Sequence, residues 1–214
     1  MCIDHVENNG LDVDGLYRVS GNLAVIETAR AVNHGTGPAP TSDNEKVNLE
    51  DSKWKDIHVT TGALKMFFRE LPEPLFTYAY FDDFVSAIKC LDQKQRVHSV
   101  KDLMKQLPKP NQDTMQALFK HLRNVIDHGE VNCMTTQSVA IVIGAHAAQA
   151  RDGVGNMAVH MVYQNQIVEL ILLEYEAIFG SFGSEADSQR SGAGLQKGEL
   201  PARVQHGPSS PTLP

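Results

Sequence analysis

Asp14-Gly15-Leu16-Tyr17-Arg18-Val19-Ser20-Gly21-Asn22 sets one arginine in a short loop with a glycine on either side. Gly15 and Gly21 permit tight backbone turns. Asn22 reads as the N-cap of a helix that follows, and an amphipathic segment, Met1 to Glu7, comes before. Arg18 presents a planar, permanently charged fork of donors, suited to a phosphate or to a phosphoryl transition state whose charge spreads over several oxygens. Alone, the stretch reads more simply as a solvated loop with a surface arginine.

Outward from this loop the pattern is helical almost everywhere. Ile3 and Val6 share one face of a segment that Gly10 stops, so Met1 to Asn8 reads as the end of a helix and the chain as a fragment, a splice form or an incomplete gene model. Leu23–Asn33 is the next helix. From His34 to Leu49 the periodicity is lost among Gly35, Gly37, Pro38, Pro40, Thr41 and Ser42, which predicts a flexible insertion at about 35–48. In Asp56–Leu71 the residues Leu64, Phe67, Phe68 and Leu71 recur at i, i+3, i+4 and i+7. Pro72 and Pro74 end that helix.

Further helices are predicted near Tyr78–Lys89, Gln95–Gln106, Gln112–Asp127 (with Asn111 as cap), Thr135–Ala148 and Val159–Phe179. Ser138–Gly144 is apolar on nearly all sides and is expected to run through the centre of a bundle. Its β-branched residues make a strand the local rival, which the helical neighbourhood decides against. Residues 181–214 hold six Ser, five Gly and four Pro against five large apolar side chains, too few to offset the entropy of folding. The expectation is a single all-α multi-helix domain over 1–180 and a disordered tail over 181–214.

The totals exclude several functions. A net charge of −7 argues against non-specific nucleic-acid binding and against a general basic membrane patch. No run of eighteen apolar residues predicts a transmembrane segment. Three cysteines, Cys2, Cys90 and Cys133, fit a reducing, cytoplasmic setting better than a disulfide framework. No P-loop, H-E-x-x-H, C-x-x-C or G-x-S-x-G motif occurs, so neither an own nucleotide site nor a metal is signalled.

The second informative stretch is Leu64-Lys65-Met66-Phe67-Phe68-Arg69-Glu70-Leu71-Pro72-Glu73-Pro74-Leu75. If Leu64, Phe67, Phe68 and Leu71 form the core stripe, Lys65 and Arg69 share an edge away from it. Like charges four apart repel by about 0.2–0.5 kcal/mol in an isolated helix. An external anion, or a loop that needs bracing, would offset that; a solvated cationic edge is the plainer reading.

Gly15-Leu16-Tyr17-Arg18-Val19-Ser20-Gly21-Asn22 resembles the arginine-finger loop of the Rho GTPase-activating protein (RhoGAP) domain, and the 64–75 stretch resembles the helix that follows it. Asn132-Cys133-Met134, followed by Ser138–Gly144, is similar to the family's Asn-x-Met helix. Leu107–Met115 and Val162–Glu169 resemble the subgroup that carries PH and WW or SH3 modules upstream. The likeness covers about residues 2–180.

The resemblance implies a module that accelerates GTP hydrolysis by a GTP-bound Rho-family small GTPase of Rho, Rac or Cdc42 type, in cytoplasmic signalling to the actin cytoskeleton. It implies Arg18 as the catalytic finger, Lys65 as a contact to the GTPase, Arg69 as a brace of the finger loop, and Asn132, Gln137, Ser138 and Asn165 as further binding or supporting residues. GTP and magnesium would be the partner's; the chain would need no cofactor and no metal of its own.

The departures are Ser138, where the family often has asparagine, and Ala145-His146-Ala147-Ala148-Gln149, where it continues Pro-x-Leu-Leu. The family's leading segment is also missing. These departures support two rival readings, a non-catalytic GTPase-binding module and a truncated inactive fragment.

Overall fold

The computed structural model describes residues 1–33, 54–147 and 157–180. The predicted insertion at 35–48 and the predicted tail at 181–214 both lie outside these. The described residues belong to one unit, Met1–Gly180. Among the described residues the secondary structure is helical, without strands.

In chain order the helices are α1 (Cys2–Asn9), α2 (Leu23–Asn33), α3 (Ile57–Arg69), α4 (Phe81–Ile88), α5 (Gln93–Gln106), α6 (Lys109–Asp127), α7 (Gly129–Asn132), α8 (Thr136–Ala147), α9 (Met157–Leu173) and α10 (Tyr175–Phe179). α6 runs through the middle, against α1, α7, α8, α9 and α10. Its Met115, Leu118, Phe119, Leu122 and Val125, which line one helical face, are all fully buried. Val139 and Ile143 of α8 and Ile167, Val168 and Ile171 of α9 complete the same core. α3 packs against α1, α2 and α8. Where it meets α2, Ile26, Trp54 and Val59 form a smaller cluster with Val25, Ala63 and Met66.

Local chemistry sets the helix starts. Asn22 caps α2: its Oδ1 accepts from Ala24 N at 3.0 Å. Asp56 and Asp92 cap α3 and α5 in the same way, through His58 N at 3.0 Å and Gln95 N at 2.7 Å.

Several expectations are corrected. Asn111 is not the cap of α6, which starts earlier because Pro110 sits in its first turn with its φ already helical. The Asn111 side chain instead donates to Leu75 O at 3.0 Å. The expected last helix is two, α9 and α10. Arg123 Nη1 takes the Leu172 carbonyl at 3.0 Å, and the chain bends at Glu174. α7 carries too few residues for periodicity to show it. Ser138–Gly144 is helical but not buried all round, since Ile141 lies outward and half exposed.

The stripe on α3 is displaced. Phe68 is 4% exposed but Phe67 is 55% exposed, its ring edge-on to Phe68 at 5.3 Å. The buried residues of α3 are Ile57, Val59, Thr60, Thr61 and Phe68. The apolar spacing suited two faces, and α1, α2 and α8 close only one of them. Phe68→Ala should therefore cost about 3–5 kcal/mol in urea unfolding, and Phe67→Ala no more than about 1 kcal/mol. Equal losses would contradict this placement.

Candidate functional site

The Asp14–Asn22 loop turns Leu16 and Tyr17 inward and its arginine outward. Gly15 has φ +67°, and a Cβ there would lie 2.6 Å from Val19 Cγ2. Its carbonyl accepts from both Arg18 N and Val19 N at 2.8 Å, which closes the turn, and its N–H donates to Asn132 O at 2.8 Å. A Cβ on Gly21 would lie 2.4 Å from the backbone of His58 and Val59, so the loop's far end presses on the start of α3. Leu16 and Tyr17 are fully buried; Arg18, Val19 and Ser20 are exposed.

Tyr17 is the unusual residue. It holds φ +70°, a left-handed backbone that an aromatic residue adopts only under constraint. Two contacts supply the constraint. Its carbonyl accepts from Lys65 Nζ at 2.6 Å. Its hydroxyl lies 2.6 Å from Nε2 of the buried His121, with the rings edge to face. On the far side, His121 Nδ1 lies 3.0 Å from Glu7 Oε1, which also accepts from Asn124 Nδ2 at 2.9 Å.

Burial pushes the His121 imidazole below its ordinary value; the hydrogen bond and charge of Glu7, with Asp4, only partly oppose this. Burial would raise the Glu7 carboxyl, but hydrogen bonds from His121 and Asn124 outweigh it and hold the group below its ordinary range. Burial raises the Tyr17 phenol. At neutral pH the set is therefore phenol, neutral imidazole and carboxylate. Tyr17 O–H donates to Nε2, and Nδ1–H donates to Glu7, so the phenol and both ring nitrogens have partners.

Asn132 is fully buried at the base of the loop. Its Nδ2 donates to Leu11 O and Val125 O, both at 2.8 Å, and its Oδ1 accepts from Met134 N at 2.9 Å. It thereby ties the segment before the loop to the end of α6 and to the turn into α8. Outside the loop, Arg18 Nη2 approaches Asp14 Oδ1 at 3.6 Å, with both side chains more than half exposed. The exposed Cys133 thiol is raised by its hydrogen bond to Asp14 and by that carboxylate's charge, which Arg18 partly offsets.

The other residues singled out from the sequence divide into two groups. Lys65 is half-buried, its ammonium pushed below its ordinary value by burial. Arg69 is exposed on the next turn; the half-buried His146 is lowered by burial and then by the charges of Lys65 and Arg69. Gln137 is exposed in the first turn of α8. Ser138 Oγ accepts from Thr135 N at 2.7 Å, and Ser138 N donates to Thr135 Oγ1 at 3.2 Å, a reciprocal cap of α8. Asn165 lies half-buried on α9, its Oδ1 2.8 Å from where a Cβ on Gly144 would stand. The structure thus gathers Arg18, Lys65 and Asn132 at one loop and leaves Ser138 and Asn165 in helix capping and helix packing.

Glu7 and His121 were missed by sequence reasoning. They lie 114 residues apart in the chain, and neither stands in a motif that marks it. Among the described residues no group of three or more His, Cys, Asp or Glu is arranged to hold a metal, and no helix is long and apolar enough to cross a membrane.

Comparison with known proteins bears on this geometry. A family model described as the RhoGAP domain matches residues 1–152. The chain is 65% identical over 181 residues to Rho GTPase-activating protein 12 of Homo sapiens, covering 84% of this chain and 20% of that protein. It is 57% identical over 180 residues to Rho GTPase-activating protein 15 of Gallus gallus, covering 84% of this chain and 36% of that protein. It therefore spans only about a fifth to about a third of the length of these curated relatives. The crystal structure of human Rho GTPase activating protein 15 superposes with a TM-score of 0.76 at 56% identity, covering 84% of this chain and 81% of that one. The BH domain from GRAF, the GTPase regulator associated with focal adhesion kinase, superposes with a TM-score of 0.68 at 27% identity, covering 84% and 91%.

The lowered His121 has a consequence for stability. Below its ordinary value of 6.5 the unfolded chain binds this proton before the folded chain does, so stability present above that value declines as the pH falls. The thermal midpoint should drop between about pH 7 and pH 5, and drop less in His121→Gln. His146 has the same sign and leaves a residual slope. Equal slopes in the two proteins would contradict a neutral buried His121.

Proposed function

The chain belongs to the RhoGAP family, and we propose from this that it accelerates GTP hydrolysis by a GTP-bound Rho-family small GTPase, inserting Arg18 in trans. The observation that carries the reading is the presentation of Arg18: an exposed guanidinium on a loop whose preceding residue is buried and held from two sides.

Docking would remove Arg18 from water and bring its fork to the oxygens between the β- and γ-phosphates, where charge develops during cleavage. In that dry setting a fixed cation is worth far more than in solvent. The same residue would help hold the partner's catalytic glutamine beside the attacking water. GTP, magnesium and the water belong to the partner, and the chain contributes position and charge. Leaving Asp14 costs little, because an exposed pair contributes at most about 1 kcal/mol. Val19 and Leu23 are exposed apolar side chains on either side of the loop's end and suit the desolvated part of an interface.

Lys65 and Asn132 support the loop from within. Arg69, Gln137, Ser138 and Asn165 remain assigned as GTPase-binding or supporting residues. The setting is cytoplasmic, with recruitment to membranes through the partner or through upstream PH, WW or SH3 modules. A binding module without catalysis is the second reading, favoured by the engagement of the Ser138 hydroxyl in its own helix cap.

Single-turnover GTP hydrolysis by Rho-, Rac- and Cdc42-type GTPases separates the two. Arg18→Ala should lose most of an acceleration of ~10³–10⁵, equivalent to roughly 4–7 kcal/mol of barrier. Arg18→Lys should fail nearly as badly, because a point charge cannot reproduce the fork. Equal stimulation by wild type and Arg18→Lys excludes the finger; binding to the GTP state without acceleration establishes the second reading.

A further inference from the structure

We infer that the buried line Tyr17–His121–Glu7 is a positioning device for Arg18, acting on the partner's reaction through the backbone of the finger loop. The inference rests on the finger reading and adds Tyr17, His121 and Glu7 to it as positioning residues.

Among the described residues, the Arg18 side chain pairs outwardly with the exposed Asp14, at 3.6 Å. Its aim is therefore set by the Tyr17–Arg18 peptide. Both polar atoms of that peptide are engaged: the Tyr17 carbonyl by Lys65 at 2.6 Å and the Arg18 N–H by Gly15 O at 2.8 Å. This peptide orientation requires Tyr17 to stay at φ +70°, which a tyrosine leaves for a negative φ unless held. A reversal there would swing the peptide and carry Arg18 with it.

What holds the side chain is the hydroxyl on His121, at the end of a line that continues to Glu7 and Asn124. Each link fixes the next. The Glu7 carboxylate orients the ring and selects the Nδ1–H tautomer, which leaves the Nε2 lone pair facing the tyrosine. α3 and α6 thus meet on one residue, next in the chain to the finger, and α1 braces it through His121. Transition-state stabilisation is sensitive to displacements of about 1 Å, whereas docking surfaces tolerate them. Loosening the line should therefore slow the reaction more than it weakens binding.

Two near-isosteric variants test this with the packing kept: Tyr17→Phe removes the hydroxyl alone, and Glu7→Gln removes the charge that orients His121. Each is made with and without Arg18→Ala. The saturating single-turnover rate is read with Rho-, Rac- and Cdc42-type GTPases, and the affinity with the same GTPases loaded with a non-hydrolysable GTP analogue. The saturating rate should fall roughly fivefold in each variant, with affinity within about twofold of wild type. In the Arg18→Ala background neither substitution should lower the residual rate further, because the residue they position is gone.

Wild-type rates in both variants, or the same fractional loss with and without Arg18, would overturn the positioning role and leave the finger standing. So would a loss carried by affinity alone. If wild type does not accelerate hydrolysis, or Arg18→Ala equals wild type, the finger reading falls and the positioning role falls with it.

Discussion

Tyr17 is kept in a left-handed backbone conformation between α3 and α6, and the shape of the Arg18 loop depends on that restraint. A strained φ of this kind costs about 1–3 kcal/mol. Burying an aromatic side chain completely gains roughly as much, and the hydrogen bonds at its two ends add to that. The strain is therefore outweighed only while ring, hydroxyl and carbonyl are all engaged. Gly15, in the same backbone region, carries no such penalty and needs no partner to stay there.

The electrostatics divide cleanly between inside and outside. Inside, the one charge on the Tyr17 line is the Glu7 carboxylate, which two donors satisfy, while His121 stays neutral because burial disfavours its cation. Lys65 is half-buried and answers a carbonyl dipole in place of a carboxylate. Outside, the Asp14–Arg18 pair is solvated and contributes little, so the arginine is held loosely at its tip and firmly at its root.

The helices were legible where periodicity, caps and prolines agree. α3 stops before Pro72, α2 starts on Asn22, and α8 starts on Thr135 with Ser138 completing the cap. The α3 face was misjudged because Phe67 and Phe68 are adjacent aromatics and periodicity cannot say which of them a neighbouring helix will cover. The start of α6 was misjudged because Pro110 opens a helix as readily as it ends one. At the loop, Arg18 and Lys65 stand in contiguous motifs and so could be singled out as candidates. Asn132 could be singled out too, and its placement makes it a buried clamp of three chain segments. Glu7 and His121 could not be found, since an acid in α1 and a histidine in α6 acquire meaning only through each other.

The sequence by itself determined the all-helical class, the arginine loop and its glycines, and the family, because these reside in local patterns: spacing at three and four residues, turn chemistry, and contiguous motifs. Only the tertiary structure decided which aromatic of α3 is inside, that the hydroxyl of Ser138 is engaged in its own helix cap, and that Tyr17 is held by His121 and Glu7. Those are questions of which side chains face each other across 104 and 114 residues of chain. Facing is fixed by how α1, α3 and α6 pack together, a long-range arrangement that no local window of sequence contains.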